Sequence, residues 1–301
     1  VSNNTAVGFC ALYANTTGTE NVAVGSGALT TNVTGVNGTA VGNDALKLNT
    51  GDSNSAFGRR ALCTNSSGSA NVALGVNALL SNTTANDNVA VGNAALTTNT
   101  TGASNTAVGR SALKDNTTGA YNTAVGLCSQ NSVTTASSNV SIGANSLRDN
   151  VTGTANTALG HAALIVNTAS NNTAVGWLSL SANTSGANNT GIGVQSLAAN
   201  TTASNNTAVG CGALLANTTG SQNNAFGRNA LDANTTASYN NAFGHGTLGL
   251  NTTGSENTGM GDGVLANSTT ASFNTAVGSA ALYANTTGAS NTAVGKNAML
   301  L

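Results

Sequence analysis

The chain has few charged residues, few aromatic residues and no proline. Lys, Arg, Asp and Glu make up 6% of its 301 residues and the formal net charge is −1, whereas charged residues are about 25% of an average soluble protein. A chain this close to neutral has no electrostatic attraction to nucleic acid or to an anionic membrane surface. The composition therefore predicts neither partner.

Long apolar runs and paired cysteines are also missing. No segment has the roughly 18 consecutive apolar residues of a transmembrane helix, and no signal peptide is visible, so we predict no membrane insertion. The four cysteines lie far apart in the sequence, and none forms a Cys-x-x-Cys pair. We interpret them as small apolar fillers rather than a disulfide framework. They are Cys10, Cys63, Cys128 and Cys211.

A five-residue phrase, Asn-Thr-Ala-Val-Gly or a close variant, occurs eighteen times. The spacing of its closing glycines is seventeen in fifteen cases, as from Gly92 to Gly109, and sixteen in the other two. A fixed short period predicts a solenoid, in which one small unit stacks on itself. Nothing interrupts the period, so we predict a single repeat domain over residues 1–301. The glycines are Gly8, Gly25, Gly42, Gly58, Gly75, Gly92, Gly109, Gly126, Gly143, Gly160, Gly176, Gly193, Gly210, Gly227, Gly244, Gly261, Gly278 and Gly295.

The first part of each copy is typical of a β-strand. We number each copy from the asparagine of the phrase, so that Asn105 is position 1 of the copy that ends at Tyr121. Position 2 is mostly Thr or Val and position 4 is always apolar, and β-branched residues favour strands. Positions 2 and 4 would share one face of that strand, which we predict to span positions 1 to 5. We expect position 4 and the leucine of position 9 to form the core, and the alanine of position 3 to point to the opposite face.

The rest of each copy is less regular. Positions 6 to 11 fit either a second short strand or extended segment, which we favour, or a single helical turn. Positions 12 to 15 read Asn-Thr-Thr-Gly or Asn-Thr-Thr-Ala, which is turn chemistry. Both shortened intervals lose a residue there, as expected of a loop. From Gly119 onward, position 15 alternates between Gly and Ala, so one coil contains either one copy or a pair of copies, a 34-residue unit.

The predicted fold class is all-β, a parallel β-roll, and its core is thin. Two buried side chains per copy contribute about 3 to 6 kcal/mol, against about 1 to 2 kcal/mol of backbone entropy per ordered residue. Stacked asparagines at positions 1 and 12 are predicted to form side-chain amide ladders. We also expect the alanine face to be buried against other copies of the chain. The apolar residues 298–301 would allow end-to-end joining as well.

The motif Asn-Thr-Ala-Val-Gly-x-x-Ala-Leu-x-x-Asn-Thr-Thr-Gly resembles NTAVG-type repeat fibre proteins, the repeats of phage tail fibres and bacterial surface fibres. It is also similar to the head repeats of trimeric autotransporter adhesins, which have a shorter coil. A fainter similarity is to ice-binding rolls. The first two resemblances imply a left-handed parallel β-roll, assembled as a homotrimer in an extracellular fibre. No coiled-coil stalk or membrane anchor is visible in residues 1–301.

No residues are candidates for catalysis, cofactor binding or metal binding. His161 and His245 are five copies apart, and no carboxylate or cysteine recurs beside them in the sequence. The copy around Gln130 departs most from the repeat pattern. Three explanations are open: a bulge in the strand, a contact with another molecule, or sequence drift in a single repeat. Exposed aromatic side chains of positions 6 and 10 are candidate sugar-stacking groups, although local packing is the commoner role. They are Phe9, Tyr13, Trp177 and Tyr283.

The sequence therefore predicts a non-enzymatic structural subunit or adhesin shaft, outside the cell, on a cell or virion surface. Its partner would be itself, as a homotrimer or an end-to-end polymer, and a cell-surface glycan is a further candidate. The alternative is a monomeric roll that binds glycan or ice. Paired outward threonines would favour ice, but the adjacent threonines of positions 13 and 14 would point in opposite directions in a strand.

Overall fold

The computed structural model describes residues 2–300, so that Val1 and Leu301, the last of the apolar C-terminal residues, lie outside it. The chain divides into two compact units, one ending at Thr154 and one beginning at Ala155. Each unit contains nine three-residue β-strands, one for each repeat copy, and the described residues include no helix. The predicted all-β solenoid is confirmed.

The strands occupy positions 2 to 4 of their copies, a shorter span than the predicted positions 1 to 5. In the first unit they are β1 (Thr5–Val7), β2 (Val22–Val24), β3 (Thr39–Val41), β4 (Ser55–Phe57), β5 (Val72–Leu74), β6 (Val89–Val91), β7 (Thr106–Val108), β8 (Thr123–Val125) and β9 (Val140–Ile142). In the second they are β10 (Thr157–Leu159), β11 (Thr173–Val175), β12 (Thr190–Ile192), β13 (Thr207–Val209), β14 (Asn224–Phe226), β15 (Asn241–Phe243), β16 (Thr258–Met260), β17 (Thr275–Val277) and β18 (Thr292–Val294).

Within each unit, every strand pairs in parallel with the strand of the next copy, position for position. For example, Ala107 pairs with Ala124 and Val108 with Val125. One coil therefore contains one copy, and the 34-residue alternative is excluded. The shortened intervals keep the same register, as Thr39 paired with Ser55 shows. The missing residue lies in the predicted turn.

The prediction for the two faces of the strand was wrong. The position 3 alanines lie in the core, with Ala107 fully buried, together with the small residue of position 8 and the leucine of position 9. The position 4 side chains point outward instead, and Leu74 is 48% exposed. The interior leaves room for only a small residue at position 3: at Gly191, which replaces the usual alanine, an added Cβ would lie 2.7 Å from Ser179 Oγ of the preceding turn.

Positions 6 to 11 form neither a second strand nor a helical turn, so that expectation was also wrong. Positions 7 and 9 have positive φ in every copy, for example 57° at Ala94 and 49° at Leu96, and so does position 17, with 57° at Ser104. L-residues lose about 1 to 2 kcal/mol each in this conformation. This conformation points the backbone amides of the segment along the stack. For example, Leu96 N–H donates to Ala112 O of the next turn at 3.0 Å. Burial of the leucine offsets part of the cost.

The glycine of position 5 has two reasons to be present in every copy. Its φ is near 135°, a value that L side chains rarely adopt, and Gly92 is a typical case. A Cβ at Gly92 would also lie 2.6 Å from the carbonyl oxygen of Gly109 in the next turn. Any side chain there would push neighbouring turns apart.

The predicted asparagine ladders are confirmed at both positions. At position 12, Asn99 Nδ2 donates to Asn82 Oδ1 of the preceding turn at 3.0 Å. At position 1, Asn105 N–H donates to Asn88 Oδ1 at 2.9 Å. Both side chains are buried in most turns, so these bonds satisfy polar groups that water does not reach.

The two ladders also brace each turn across its width. Gly119 O accepts one hydrogen bond from Asn105 Nδ2 and one from Asn116 Nδ2, both at 2.9 Å. Asn105 is position 1 and Asn116 is position 12 of the same copy, and Gly119 is its position 15. The asparagines therefore hold the turn closed as well as linking it to its neighbours.

Three buried oxygens of the position 12 ladder lack a hydrogen-bond partner, and each precedes an irregular copy. They are Asn32 Oδ1, Asn116 Oδ1 and Asn251 Oδ1. Asn32 is followed by a shortened turn, and the next ladder positions after Asn116 and Asn251 are Val133 and Ser268. The side chain of valine has no N–H to donate to Asn116 Oδ1. An unsatisfied buried acceptor costs about 1 to 3 kcal/mol.

Repairing the ladder is expected to stabilise the protein. Val133→Asn supplies a donor for Asn116 Oδ1 and should raise the free energy of unfolding by about 1 kcal/mol, since part of the regained hydrogen-bond energy offsets the lost apolar burial. The reverse change, Asn99→Val, should lower it by at least about 2 kcal/mol because it orphans Asn82 Oδ1. Urea denaturation of both variants checks this. Equal destabilisation by both changes would contradict the role given to the ladder.

The positive φ of position 7 reverses the usual effect of glycine. Ala94→Gly removes the backbone strain of an alanine at positive φ and should raise the free energy of unfolding by a few tenths to about 1 kcal/mol. Four copies already have glycine there: Gly27, Gly212, Gly246 and Gly263. The control Ala103→Gly, at a position with negative φ, should destabilise by about 0.5 to 1 kcal/mol. Thermal unfolding that shows the same sign for both would rule out the left-handed assignment.

Candidate interaction surface

The outward side chains of positions 2 and 4 form a continuous surface on each unit, which we call the strand face. Because the strands are in register, threonine or valine stacks on its equivalent in one column and an apolar residue does so in the other. Position 4 is Val, Ile, Leu, Phe or Met in all eighteen copies. Neither column contains a charged residue in any copy.

Stacked side chains on the second unit's strand face show how closely the columns align. The rings of Phe226 and Phe243 are parallel within 8°, with centroids 5.0 Å apart. On the same strands, Asn224 Nδ2 donates to Asn241 Oδ1 at 2.9 Å. Identical outward residues therefore contact each other from turn to turn, and they present one even surface.

The size of the strand face follows from strand spacing. Nine strands about 4.8 Å apart and three residues of about 3.3 Å give each unit a face of about 40 by 10 Å, or about 400 Å². The face of one unit is therefore about half of the roughly 800 Å² per partner that a standard protein–protein interface buries. A face of this size can form a substantial part of an interface.

The threonine pair of positions 13 and 14 does not form such a surface. Thr100 Oγ1 donates to Thr117 O of the next turn at 3.0 Å, whereas the following residue, Thr101, is exposed. The first threonine thus supports the stack and only the second faces solvent. The outward pair on a strand is instead one threonine and one apolar residue, as at Thr106 and Val108.

The two histidines are exposed and lie on separate turns. The structure adds one partner that sequence reasoning missed, because His245 Nδ1 lies 3.1 Å from Asp262 Oδ1. Both residues occupy position 6 of successive copies, so comparing copies column by column would have found the pair. Within residues 2–300, no three His, Cys, Asp or Glu side chains form a group that could hold a metal ion.

All four cysteines are free thiols. Cys63 is buried, which raises the pKa of its thiol despite the nearby Arg60 guanidinium, and it acts as the expected small filler. Cys211 is exposed, so the filler interpretation is wrong for that residue. It occupies position 6, which also points outward at His161 and His245.

The irregular copy around Gln130 contains a buried polar cluster rather than a strand bulge. Gln130 Nε2 donates to Thr123 O and to Ser141 Oγ, both at 2.9 Å. Ser129 Oγ contacts Ser141 Oγ and also Ser146 Oγ. Strands β8 and β9 keep their register across this copy. Serines at alanine positions thus accommodate a glutamine in place of leucine.

The aromatic residues singled out from the sequence are exposed and lie in only three of the eighteen copies. Phe9 and Tyr13 lie in the first copy, Trp177 in the eleventh and Tyr283 in the seventeenth. Sequence reasoning missed a second group, at position 17, where Tyr239 and Phe273 are also exposed. These two lie only two turns apart in the second unit, and the signal was again available from comparing copies by column.

Comparisons with known proteins leave the family open. A scan against protein-family models and a search of curated proteins both found no match. The resemblance to fibre repeats therefore stays a prediction. Across the described residues, no helix has the length and apolar character needed to cross a membrane.

Two aspartates give opposite expectations for pH dependence. Burial raises the pKa of the Asp232 carboxyl, so its ionisation near neutral pH costs stability that is regained as the pH falls. The bidentate hydrogen bonds from Arg148, at 2.8 and 2.7 Å, lower the pKa of Asp149. That carboxylate contributes stability at neutral pH, which is lost as the pH falls through its lowered pKa.

Asp232→Asn should therefore stabilise the protein at pH 7, and Asp149→Asn should destabilise it, each by less than about 1 kcal/mol because the groups are partly exposed. The Asp232 difference should vanish below the pKa of the unfolded carboxyl, whereas the Asp149 difference should shrink below that pKa and vanish only below the lowered pKa of the folded carboxyl. Denaturation midpoints measured from pH 7 to pH 3 check both signs. The same sign for both variants at pH 7 would contradict the assigned environments.

Proposed function

We propose that this chain is a non-catalytic structural subunit of an extracellular fibre on a cell or virion surface, and that three copies associate side by side through their strand faces. The observation that carries the proposal is the composition of position 4. Its side chain points outward, yet it is apolar in every copy. An outward column has no need to be apolar in a monomer, because continuous exposed apolar surface favours association.

Other outward positions support this reading by contrast. Position 6 also points outward, but it contains Arg59, His161, Trp177 and Asp262 in different copies. The strand face varies only among apolar residues at position 4 and among β-branched, small or amide residues at position 2. Covering a surface without charges has a low desolvation cost. The expectation that the alanine face binds other copies is thus replaced by the strand face.

The backbone hydrogen bonds between turns support the structural role. Each turn directs its backbone amides to the turns on either side, so lateral partners would meet side chains rather than open hydrogen bonds. Most titratable side chains are scattered over outward positions of separate turns, which supports the non-catalytic part of the proposal. The homotrimer follows the resemblance to trimeric adhesin heads, and end-to-end polymerisation is the competing form of self-association.

Charge on the strand face should separate the copies. Val108→Lys with Val125→Lys places two like charges in the proposed interface, and the mass by light scattering should fall from three times the 29.1 kDa chain to that of one chain. Circular dichroism should stay unchanged, because both side chains point outward. The matched control, Thr101→Lys with Thr118→Lys, charges exposed residues of neighbouring turns and should leave the trimer intact.

Three results would count against the proposal. A monomeric wild-type chain would exclude self-association altogether. A trimer that survives the two strand-face lysines would place the interface elsewhere. Long filaments in electron micrographs, unaffected by those lysines, would favour end-to-end joining over lateral assembly.

A further inference from the structure

Five consecutive turns of the second unit share a feature that occurs elsewhere only in single turns. Each has serine at position 16 followed by an exposed residue at position 17, and the five exposed residues are amides, aromatics and one carboxylate. We call this surface the serine–aromatic ribbon. It consists of Ser204–Asn205, Ser221–Gln222, Ser238–Tyr239, Ser255–Glu256 and Ser272–Phe273.

Hydrogen bonds between turns hold the ribbon in a fixed geometry. Ser221 N–H donates to Ser238 Oγ at 3.0 Å, and the same bond recurs at each step from Ala187 to Ser272. Tyr239 N–H donates to Ser221 O at 3.2 Å. A serine oxygen that accepts such a bond keeps its O–H as a donor. The ribbon therefore offers a row of hydroxyl donors on a rigid backbone.

Two exposed aromatic side chains lie along this row of serines at a regular spacing. Tyr239 is 56% exposed and Phe273 is 57% exposed, and they are separated by two turns. Hydrogen-bonded neighbouring turns are about 4.8 Å apart, which places the two residues about 9.6 Å apart along the stack. Glu256 occupies the turn between them and is exposed as well.

We propose that the serine–aromatic ribbon binds an extended, uncharged β-linked polysaccharide such as cellulose or chitin, which lies along the stack of turns. The C–H faces of sugar rings pack on aromatic rings, and exposed aromatics combine apolar area with a polar or rigid edge. In an extended β-linked chain, every second sugar presents the same face, at a repeat close to the interval between Tyr239 and Phe273. The sugar between them meets Glu256.

The polar groups and the charge of the ribbon also suit an uncharged polysaccharide. Glu256 and the amides of Asn205 and Gln222 accept hydrogen bonds from sugar hydroxyls, and the serine hydroxyls donate to them. Glu256 is the one charged residue of the ribbon, and no cation of the ribbon balances it, so acidic polysaccharides are repelled. The ribbon uses different positions from the strand face, and this inference is independent of the proposed self-association.

The test measures binding of the full chain to soluble hexasaccharides of cellulose and of chitin by isothermal titration calorimetry. Tyr239→Ala and Phe273→Ala should each weaken binding at least tenfold. Alanine already occupies position 17 at Ala70 and Ala155, so both variants should fold. Tyr121→Ala is the matched control, because Tyr121 is 67% exposed at the same position but no other copy of the first unit has an aromatic residue there.

Ligand length and charge provide two further readouts. The wild-type chain should bind the hexasaccharide at least tenfold more tightly than the disaccharide, and Phe273→Ala should remove that difference, since only the longer ligand reaches both rings. An alginate hexasaccharide should not bind. The inference is overturned if neither neutral hexasaccharide binds, if alginate binds equally well, or if Tyr121→Ala weakens binding as much as Tyr239→Ala.

Discussion

Hydrogen bonds between successive turns hold the solenoid together, and the other features of the fold follow from them. They run along the stack through the backbone of the strands, through the left-handed segment that follows them, and through the asparagine side chains of positions 1 and 12. Glycine and asparagine, two of the commonest residue types in the sequence, serve these hydrogen bonds. Glycine at position 5 lets carbonyl groups approach closely, and asparagine supplies a donor and an acceptor inside a narrow interior. Where asparagine is replaced, as at Val133, a neighbouring oxygen loses its partner.

The narrow interior determines what faces outward. Position 3 of the strand has room for only a small residue, so the larger apolar side chain of position 4 lies on the outside. The coil does not bury these position 4 side chains, and that surplus of apolar surface is the physical basis of the proposed assembly. Outward positions 6 and 17 do not pack against the narrow interior, so their side chains vary from copy to copy. Position 17 supplies the exposed side chains of the serine–aromatic ribbon.

Much of the fold could be predicted from the sequence, and the errors have a common cause. The period predicted the stacking, the β-branched residues predicted the strand, and the asparagine columns predicted the ladders. Alternation showed that Ala107 and Val108 face opposite ways, but it could not say which faced inward, because that depends on the width of the coil. The left-handed conformation of Leu96 was also hidden, since leucine carries no signal for positive φ. The pair Tyr239 and Phe273 was missed because the pattern emerges only when the copies are aligned by column.

Hydrogen exchange of the asparagine side-chain amides would show whether the ladders exclude water and hold the turns together. NMR of the labelled protein in D₂O should show slow exchange for the buried side-chain amides of positions 1 and 12, such as Asn99, which donates to the preceding turn, and Asn105, which donates across its own turn. The exposed amide of Asn93, at position 6, should exchange at once. Rapid exchange of all these groups alike would contradict the account, because it would mean that the ladders are open to water and do not hold the turns together.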